Sequence, residues 1–304
     1  MLAEAGILEV QALLLCASIR RFAGACSGAA ITVVSPRADR RPSSSTLGAL
    51  RVLGAEYLPL DLKSPCPAYG PSFKVMAAAH LARRPGPPIL VQTDSDTLFL
   101  DEPDLTLCGM DAAARPVDVK GMCTSGEGDR FDPYWRRLCD LCGINYDDIP
   151  EITTTIDRRR VRASYNGGLV AVRRDSGILE KTEDCFLRLA AAELVPHEDF
   201  TLRTGSGIVS GIGTRYWGTS QAALSLALTA IGHRVRVLPE SYNVPLHFEV
   251  FRERPSNRPI HVHYHWLGEA AHCGTGALLG GRVIPSPEAQ QWLIRRLPLD
   301  SAIA

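Results

Sequence analysis

Apolar and polar positions follow two periods along this chain. Residues 7 to 22, ILEVQALLLCASIRRF, place Ile7, Leu8, Leu14, Leu15 and Ile19 near one stripe, with Glu9, Gln11, Arg20 and Arg21 elsewhere, which predicts an amphipathic helix. AITVVSP follows as a β-branched run stopped by proline, then RADRRPSSST as a polar, breaker-rich loop. The order then repeats: LGALRVLG as helix, AEYLPLDL as strand, SPCPAYGP as a proline-stiffened loop, SFKVMAAAHLARR as helix and PPILVQTDSDTLFL as strand. From 104 to 160 the pattern loosens into helix and loop, with DPYWRRLCDLCGI helical. YNGGLVAVRR restores a strand whose glycine pair lets backbone or ligand approach closely. TLRTGSGIVSGIGTRYWGTS reads as a mobile surface loop, rich in glycine but lacking the GK[ST] ending of a phosphate-binding P-loop. SQAALSLALTAIG is a helix, HRVRVLP and IHVHYHW are strands, and a helix and tail close the chain. Strands alternating with helices predict an α/β fold with a mainly parallel central sheet flanked by helices, a class that binds ligands beyond the carboxyl ends of its strands.

Composition narrows this picture. With 304 residues, 45% hydrophobic and 22% charged, the chain has ample core for a globular fold and is not a disordered segment. Lys plus Arg (33) balances Asp plus Glu (33), so no global field recruits nucleic acid or an anionic membrane. Nine cysteines are too sparse for a disulfide scaffold, and their odd number favours a reducing compartment. Cys139 and Cys142 could join Cys108 and Cys123 in a four-thiolate zinc site; a single CxxC on a helix points instead to packing on one face. No apolar run reaches the length of a membrane span, and no signal pattern follows Met1. A soluble chain, cytoplasmic by default, is the expectation.

ILVQTDSDTLFL carries Asp94 and Asp96 into an otherwise apolar run. Buried charge costs several kcal/mol unless paired or bound to metal, so these carboxylates need a partner. A D-x-D pair at a strand end can bind a hard divalent cation whose shell substrate phosphates complete; the alternative is an Asx turn with one aspartate capping and the other solvated. Haloacid-dehalogenase phosphatases carry one further residue between such a pair and its threonine, whereas Thr97 follows Asp96 directly here, on a strand that is not the first. Lys74 falls in the first turn of a helix that Ser72 could cap, where ammonium and helix terminus together could meet a phosphate, unless Lys74 is simply solvated. HVHYHW places His261, His263 and His265 on one face of a strand by alternation; they are either packed or available as metal ligands.

The order SFKVMAAAH, ILVQTDSDTLFL, YNGGLVAVRR, WGTSQAALSLAL, HVHYHW resembles the nucleotide-diphospho-sugar glycosyltransferases of GT-A fold, of the glycogenin and lipopolysaccharide galactosyltransferase type, over about residues 7 to 268. The resemblance implies a manganese or magnesium ion between Asp94 and Asp96, with a late histidine as further ligand, His263 before His265. It implies substrate contacts from Asn166, Gly167, Gly168, Lys74 and Ser220, and from Thr93, just before the acidic pair, and Ser95, between its members. Relatives carry an Asp-Gln pair before a helix where this chain has Ser220 and Gln221, so the carboxylate beside the anomeric carbon is missing; Gln221 can hydrogen-bond but not act as base, and Glu198 or Asp199 could supply one. Relatives also begin with a strand that cradles the nucleoside; here it is expected to be truncated to MLAEAG, and a lost anchor or secretory leader is the alternative to a cytoplasmic chain.

The expectation is therefore one GT-A-like domain over 1–270 and a C-terminal helix and tail over 271–304. Its function would be metal-dependent transfer of a sugar from a nucleotide-diphosphate donor to a hydroxyl acceptor on a glycan, protein or small molecule. The alternative is a non-catalytic relative that binds sugar, nucleotide or a partner.

Overall fold

The computed structural model describes residues 1–248, 258–268, 284 and 286–296. Helix α1 (Ile7–Phe22) forms as its periodicity predicts. Its Glu9 does more than face water: Oε1 accepts from Gly6 N at 3.1 Å, while Oε2 accepts from Ser43 N and Ser43 Oγ at 2.7 Å each and from Thr46 Oγ1 at 2.5 Å. One carboxylate thus closes the start of α1 and clamps the start of α2 (Ser44–Val52), which Ser43 caps. Between and after these helices, β1 (Ile31–Ser35) and β2 (Ala55–Pro59) pair in parallel, and Leu2 adds a one-residue parallel bridge to Val34.

The chain continues through α3 (Pro71–Arg83), β3 (Ile89–Thr93), β4 (Thr97–Phe99), β5 (Ala112–Pro116), α4 (Asp132–Cys142), the hairpin β6 (Glu151–Thr153) and β7 (Arg160–Arg162), β8 (Tyr165–Arg173) and α5 (Ile178–Ala191). Then come β9 (Thr201–Thr204), β10 (Gly207–Ser210), α6 (Ile212–Arg215), α7 (Thr219–Ala230), β11 (Val235–Val237), β12 (Val244–Pro245), β13 (His261–His263) and α8 (Pro287–Ile294). The central sheet has the order β11-β5-β8-β3. β8 runs antiparallel to both β3 and β5, and β11 runs parallel to β5, so β3, β5 and β11 share one direction. A smaller sheet, β12-β13-β4, lies beside it.

Period-two alternation distributes the central sheet between two cores. Ala112, Ala114, Val170 and Val172 face a cluster built from α3, α4, α5 and α7, including Trp135, Leu138, Phe186 and Leu226. Ala113, Leu169 and Ala171 face Leu15 of α1 and Phe99 of β4. Cys139, Cys142 and Cys185 are buried in the first cluster as small apolar residues. α8 packs with Leu14, Val262 and Tyr264, and its Trp292 meets Phe22 edge-on at 5.4 Å between ring centroids.

Five local expectations are corrected. ILVQTDSDTLFL is not one strand: β3 and β4 belong to different sheets, and the chain turns between them at Asp94–Asp96. Strand β5 was invisible in AAARP, because a strand covered on both faces here takes alanine, a residue with little strand preference. The glycine-rich stretch is not an irregular loop but a hairpin, β9–β10, closed by Gly205 and Ser206 and followed by α6. Ser72 does not cap α3; the helix begins at Pro71, and the buried Ser72 hydroxyl accepts from Ser64 Oγ at 2.7 Å. The histidine strand ends at His263, and His265 (φ 52°) starts a tight helical turn over 265–268.

Candidate active site

The turn between β3 and β4 is held from several sides. Asp94 N donates to Gly168 O at 3.0 Å, Thr97 Oγ1 donates to Asp94 O at 2.7 Å, and Thr93 Oγ1 donates to Gly168 O at 3.1 Å. Ser95 Oγ donates to Leu2 O at 2.5 Å, tying the turn to the first residues of the chain. Tyr264 N donates to Asp96 O at 3.1 Å. β13 pairs antiparallel with β4, His263 opposite Thr97, and this register carries the late histidines to Asp96.

The two aspartates face different partners. Asp96 Oδ1 lies 3.2 Å from His263 Nε2, and Oδ2 lies 3.5 Å from His265 Nδ1. Asp94 Oδ1 instead takes a hydrogen bond of 2.5 Å from Lys74 Nζ, which also donates to Gly167 O at 3.2 Å. Asp96, His263 and His265 offer ligand atoms all within 4.8 Å of one another, while Asp94, expected beside them, is paired with Lys74 and lies outside that group. His261 also stands apart. It is fully buried against Phe99, its Nδ1 accepts from Asn243 N at 3.2 Å, and burial drives its pKa down to about 3, so it is neutral.

Electrostatics follow from this pairing. Burial opposes the charge on Asp96, but the adjoining His263 and His265 overcome it and hold the carboxyl well below the usual carboxylate range. Burial likewise opposes protonation of His263, and Asp96 reverses that, raising its pKa. His265 moves the other way, lowered by burial and by His263. One carboxylate oxygen and two imidazole nitrogens, convergent, with His263 buried and Asp96 and His265 half-buried, form a donor set suited to a divalent first-row metal. His247 lies next to this set, its ring 4.0 Å from that of His265 and perpendicular to it.

A cavity of about 860 Å³ opens onto the cluster. Of the residues expected at a site, Lys74, Thr93, Asp94, Ser95, Asp96, Asn166, Ser220, Gln221, His263 and His265 all line it. Gly167 and Gly168 form the wall behind. A Cβ at Gly168 would sit 2.5 Å from Asn243 Oδ1 and 2.9 Å from His263 Nδ1, so only glycine lets β8 pass this close. Ser220 shares a 2.9 Å hydrogen bond with Tyr69 OH. Glu198 and Asp199 are not brought to the cavity: both are exposed, and Asp199 is engaged by Arg215 at 2.6 Å.

One buried group at the cavity escaped the sequence reading. Asp118 accepts from Arg115 Nη1 at 2.9 Å and Thr155 Oγ1 at 3.0 Å on one oxygen, and from Asn166 Nδ2 at 3.0 Å on the other. Arg115 is 1% exposed, and Nη1 also donates to Asn243 O at 2.7 Å. Burial raises the pKa of Asp118 against the opposing pull of Arg115 and Thr155. The signal was present: RPVDV sets two opposite charges in an apolar stretch, the same cue that singled out Asp94 and Asp96.

Comparison with known proteins places this geometry. The family model described as the Rhodobacterales glycosyltransferase domain matches residues 1–201. No curated protein matches the chain in sequence. Among solved structures, the galactosyltransferase LgtC in complex with donor and acceptor sugar analogues is similar at a TM-score of 0.51 and 11% identity, over 97% of this chain and 94% of LgtC. The bifunctional glycosyltransferase WbbM in its apo form is similar at a TM-score of 0.47 and 13% identity, over 95% of this chain, which spans half (50%) of that protein. Apo mouse xyloside xylosyltransferase 1 follows at a TM-score of 0.41 and 12% identity, over 86% of this chain and 96% of its own. At such identities the likeness speaks to fold, and that fold is of the GT-A glycosyltransferase type.

Proposed function

The chain belongs to the Rhodobacterales glycosyltransferase domain family, and from that premise we propose that its cavity transfers a sugar from a nucleotide-diphosphate donor to a hydroxyl acceptor with the help of a divalent cation. The observation that carries this reading is the meeting of Asp96 with His263 and His265 beside the Lys74–Asp94 pair, in one cavity. Asp96, His263 and His265 would hold the cation; when bound it supplies Lewis-acid stabilisation of charge on the departing diphosphate. The two imidazoles favour manganese over magnesium, which prefers an all-oxygen shell.

The chain's own groups act around that centre. Lys74 presents an ammonium to an anionic donor while Asp94 fixes its position. Asp118 orients the amide of Asn166, whose Oδ1 accepts from Gly168 N at 2.8 Å, so the amide faces the cavity in one defined orientation. Gln221 offers hydrogen bonds to sugar hydroxyls, and Ser220, tied to Tyr69, sets the start of α7 beneath it. Thr93 and Ser95 hold the acidic turn in place through their hydroxyls.

The test is donor hydrolysis across a panel of nucleotide sugars, with and without manganese, in the wild type and Asp96→Ala. Hydrolysis that needs manganese and drops by about tenfold or more in the variant is expected, the scale of losing a metal-site group. Hydrolysis indifferent to both changes defeats the cation's role.

A further inference from the structure

The β9–β10 hairpin lies across the cavity rather than in the core. Among the described residues its strands pair only with each other, and an isolated two-stranded ribbon is marginal on its own. Leu202 and Val209, opposite one another, line the cavity, as does the exposed Arg203, while Ile208 opposite Arg203 is 74% exposed. Its tip reaches the cation-binding cluster. A Cβ built on Gly205 would stand 2.0 Å from Asp96 Oδ2 and 2.7 Å from its Cγ, so the backbone of the tip rests directly on the carboxylate.

One side chain from the opposite wall holds that tip. Gln11, on the second turn of α1 and 1% exposed, donates from Nε2 to Gly205 O at 2.5 Å. Its Oε1 is buried without a partner among the described residues. A half-satisfied buried amide is a poor way to stabilise a core, since its unpaired oxygen carries a desolvation cost that an apolar residue would avoid. It is well suited to a contact that must form and break, because the net worth of a single hydrogen bond is small. Elements held by few contacts are the ones that open locally.

We propose that Gln11 is a positioning residue that latches the β9–β10 hairpin over Asp96, so that release of this hydrogen bond sets how fast a cation enters and leaves the cluster. The inference rests on the cation reading for its consequence, but the latch itself does not. A cation entering or leaving the cluster must pass the Gly205 backbone, which lies over Asp96 Oδ2.

Gln11→Leu keeps apolar volume and removes the donor; Gln11→Glu keeps the shape but cannot donate to Gly205 O at neutral pH. Two readouts are compared with the wild type. The first is trypsin cleavage after Arg203 in metal-free protein, located by mass spectrometry. The second is manganese binding followed by electron paramagnetic resonance, with release timed by a chelator chase. Cleavage at Arg203 rises about five- to tenfold in both variants, the factor one hydrogen bond corresponds to. Manganese on- and off-rates rise together by about the same factor while Kd moves less than about twofold, since a gate changes rates and not equilibrium. Unchanged cleavage overturns the latch. Faster cleavage with unchanged rates, or a weaker Kd from off-rate alone, overturns the gating. A wild type that binds no manganese refutes the cation proposal and the gating with it, while the cleavage measurement still decides the latch.

Discussion

Gly168→Ala tests how tightly the cavity wall is built. The added methyl would lie 2.5 Å from Asn243 Oδ1, 2.9 Å from His263 Nδ1 and 3.1 Å from Asn166 Oδ1. Ordinary van der Waals contact begins near 3.4 Å, so Asn243 must retreat by roughly 0.9 Å and His263 by roughly 0.5 Å. Both are buried, at 1% and 6% exposure, and His263 is held on its far side by Asp96. Overpacking of a rigid wall costs about 1–3 kcal/mol. In a chain of this size that is a fall in Tm of roughly 2–5 °C. Because the displaced ring belongs to the proposed ligand set, manganese affinity is expected to fall by about tenfold as well. The control is Gly48→Ala: Gly48 lies inside α2 with nothing within 4 Å of the new Cβ, and alanine there is expected to stabilise by about 0.5–1 kcal/mol. Thermal unfolding by circular dichroism and calorimetric titration with manganese read both quantities. Gly168→Ala with wild-type Tm and affinity, beside the expected gain in Gly48→Ala, would refute the claim that glycine is required by close approach.

Two further outcomes follow from the buried charges. Burial acts to raise the Glu9 pKa, but the hydrogen bonds from Thr46, Ser43 and Gly6 outweigh it and leave the folded value below the unfolded one. Its stabilisation is therefore complete above the unfolded pKa of about 4.3 and is lost as pH falls through the folded value. Urea unfolding of wild type and Glu9→Gln between pH 6 and 2.5 should give a stability difference that is flat above about pH 5 and shrinks in acid; a constant difference would contradict the pairing. Arg115→Met leaves Asp118 buried without its guanidinium, at a cost of about 3 kcal/mol, and Arg115→Met with Asp118→Asn recovers part of it. Additive losses in that double-mutant cycle would refute the energetic coupling of Arg115 to Asp118.

The acidic pair and the histidine strand were legible because each breaks an otherwise regular apolar pattern, and buried polarity demands a partner. What could not be read was which partner each group takes. Asp94 and Asp96 are identical in local context, two carboxylates separated by Ser95, yet the turn between β3 and β4 sends one to Lys74 and the other to His263. β5 was missed because AAARP carries no strand propensity, and its identity as a strand comes from the β8 and β11 neighbours that sandwich it. The hairpin at 201–210 was read as a loop because its glycines spoke louder than the short alternation of Leu202, Thr204, Ile208 and Ser210.

By itself, the amino-acid order determined the type of the strongly periodic elements, the helical and two-residue periodicities that divide two cores, and the chemistry available at each exceptional position. These are short-range properties, set by backbone sterics and by which side chains can leave water. Tertiary structure alone decided that residues near 11, 96, 205 and 263 occupy one place, that Glu198 and Asp199 do not, and that Asp118 joins the cavity. Such meetings depend on strand register and sheet order, which many weak contacts select together and no single stretch of sequence contains.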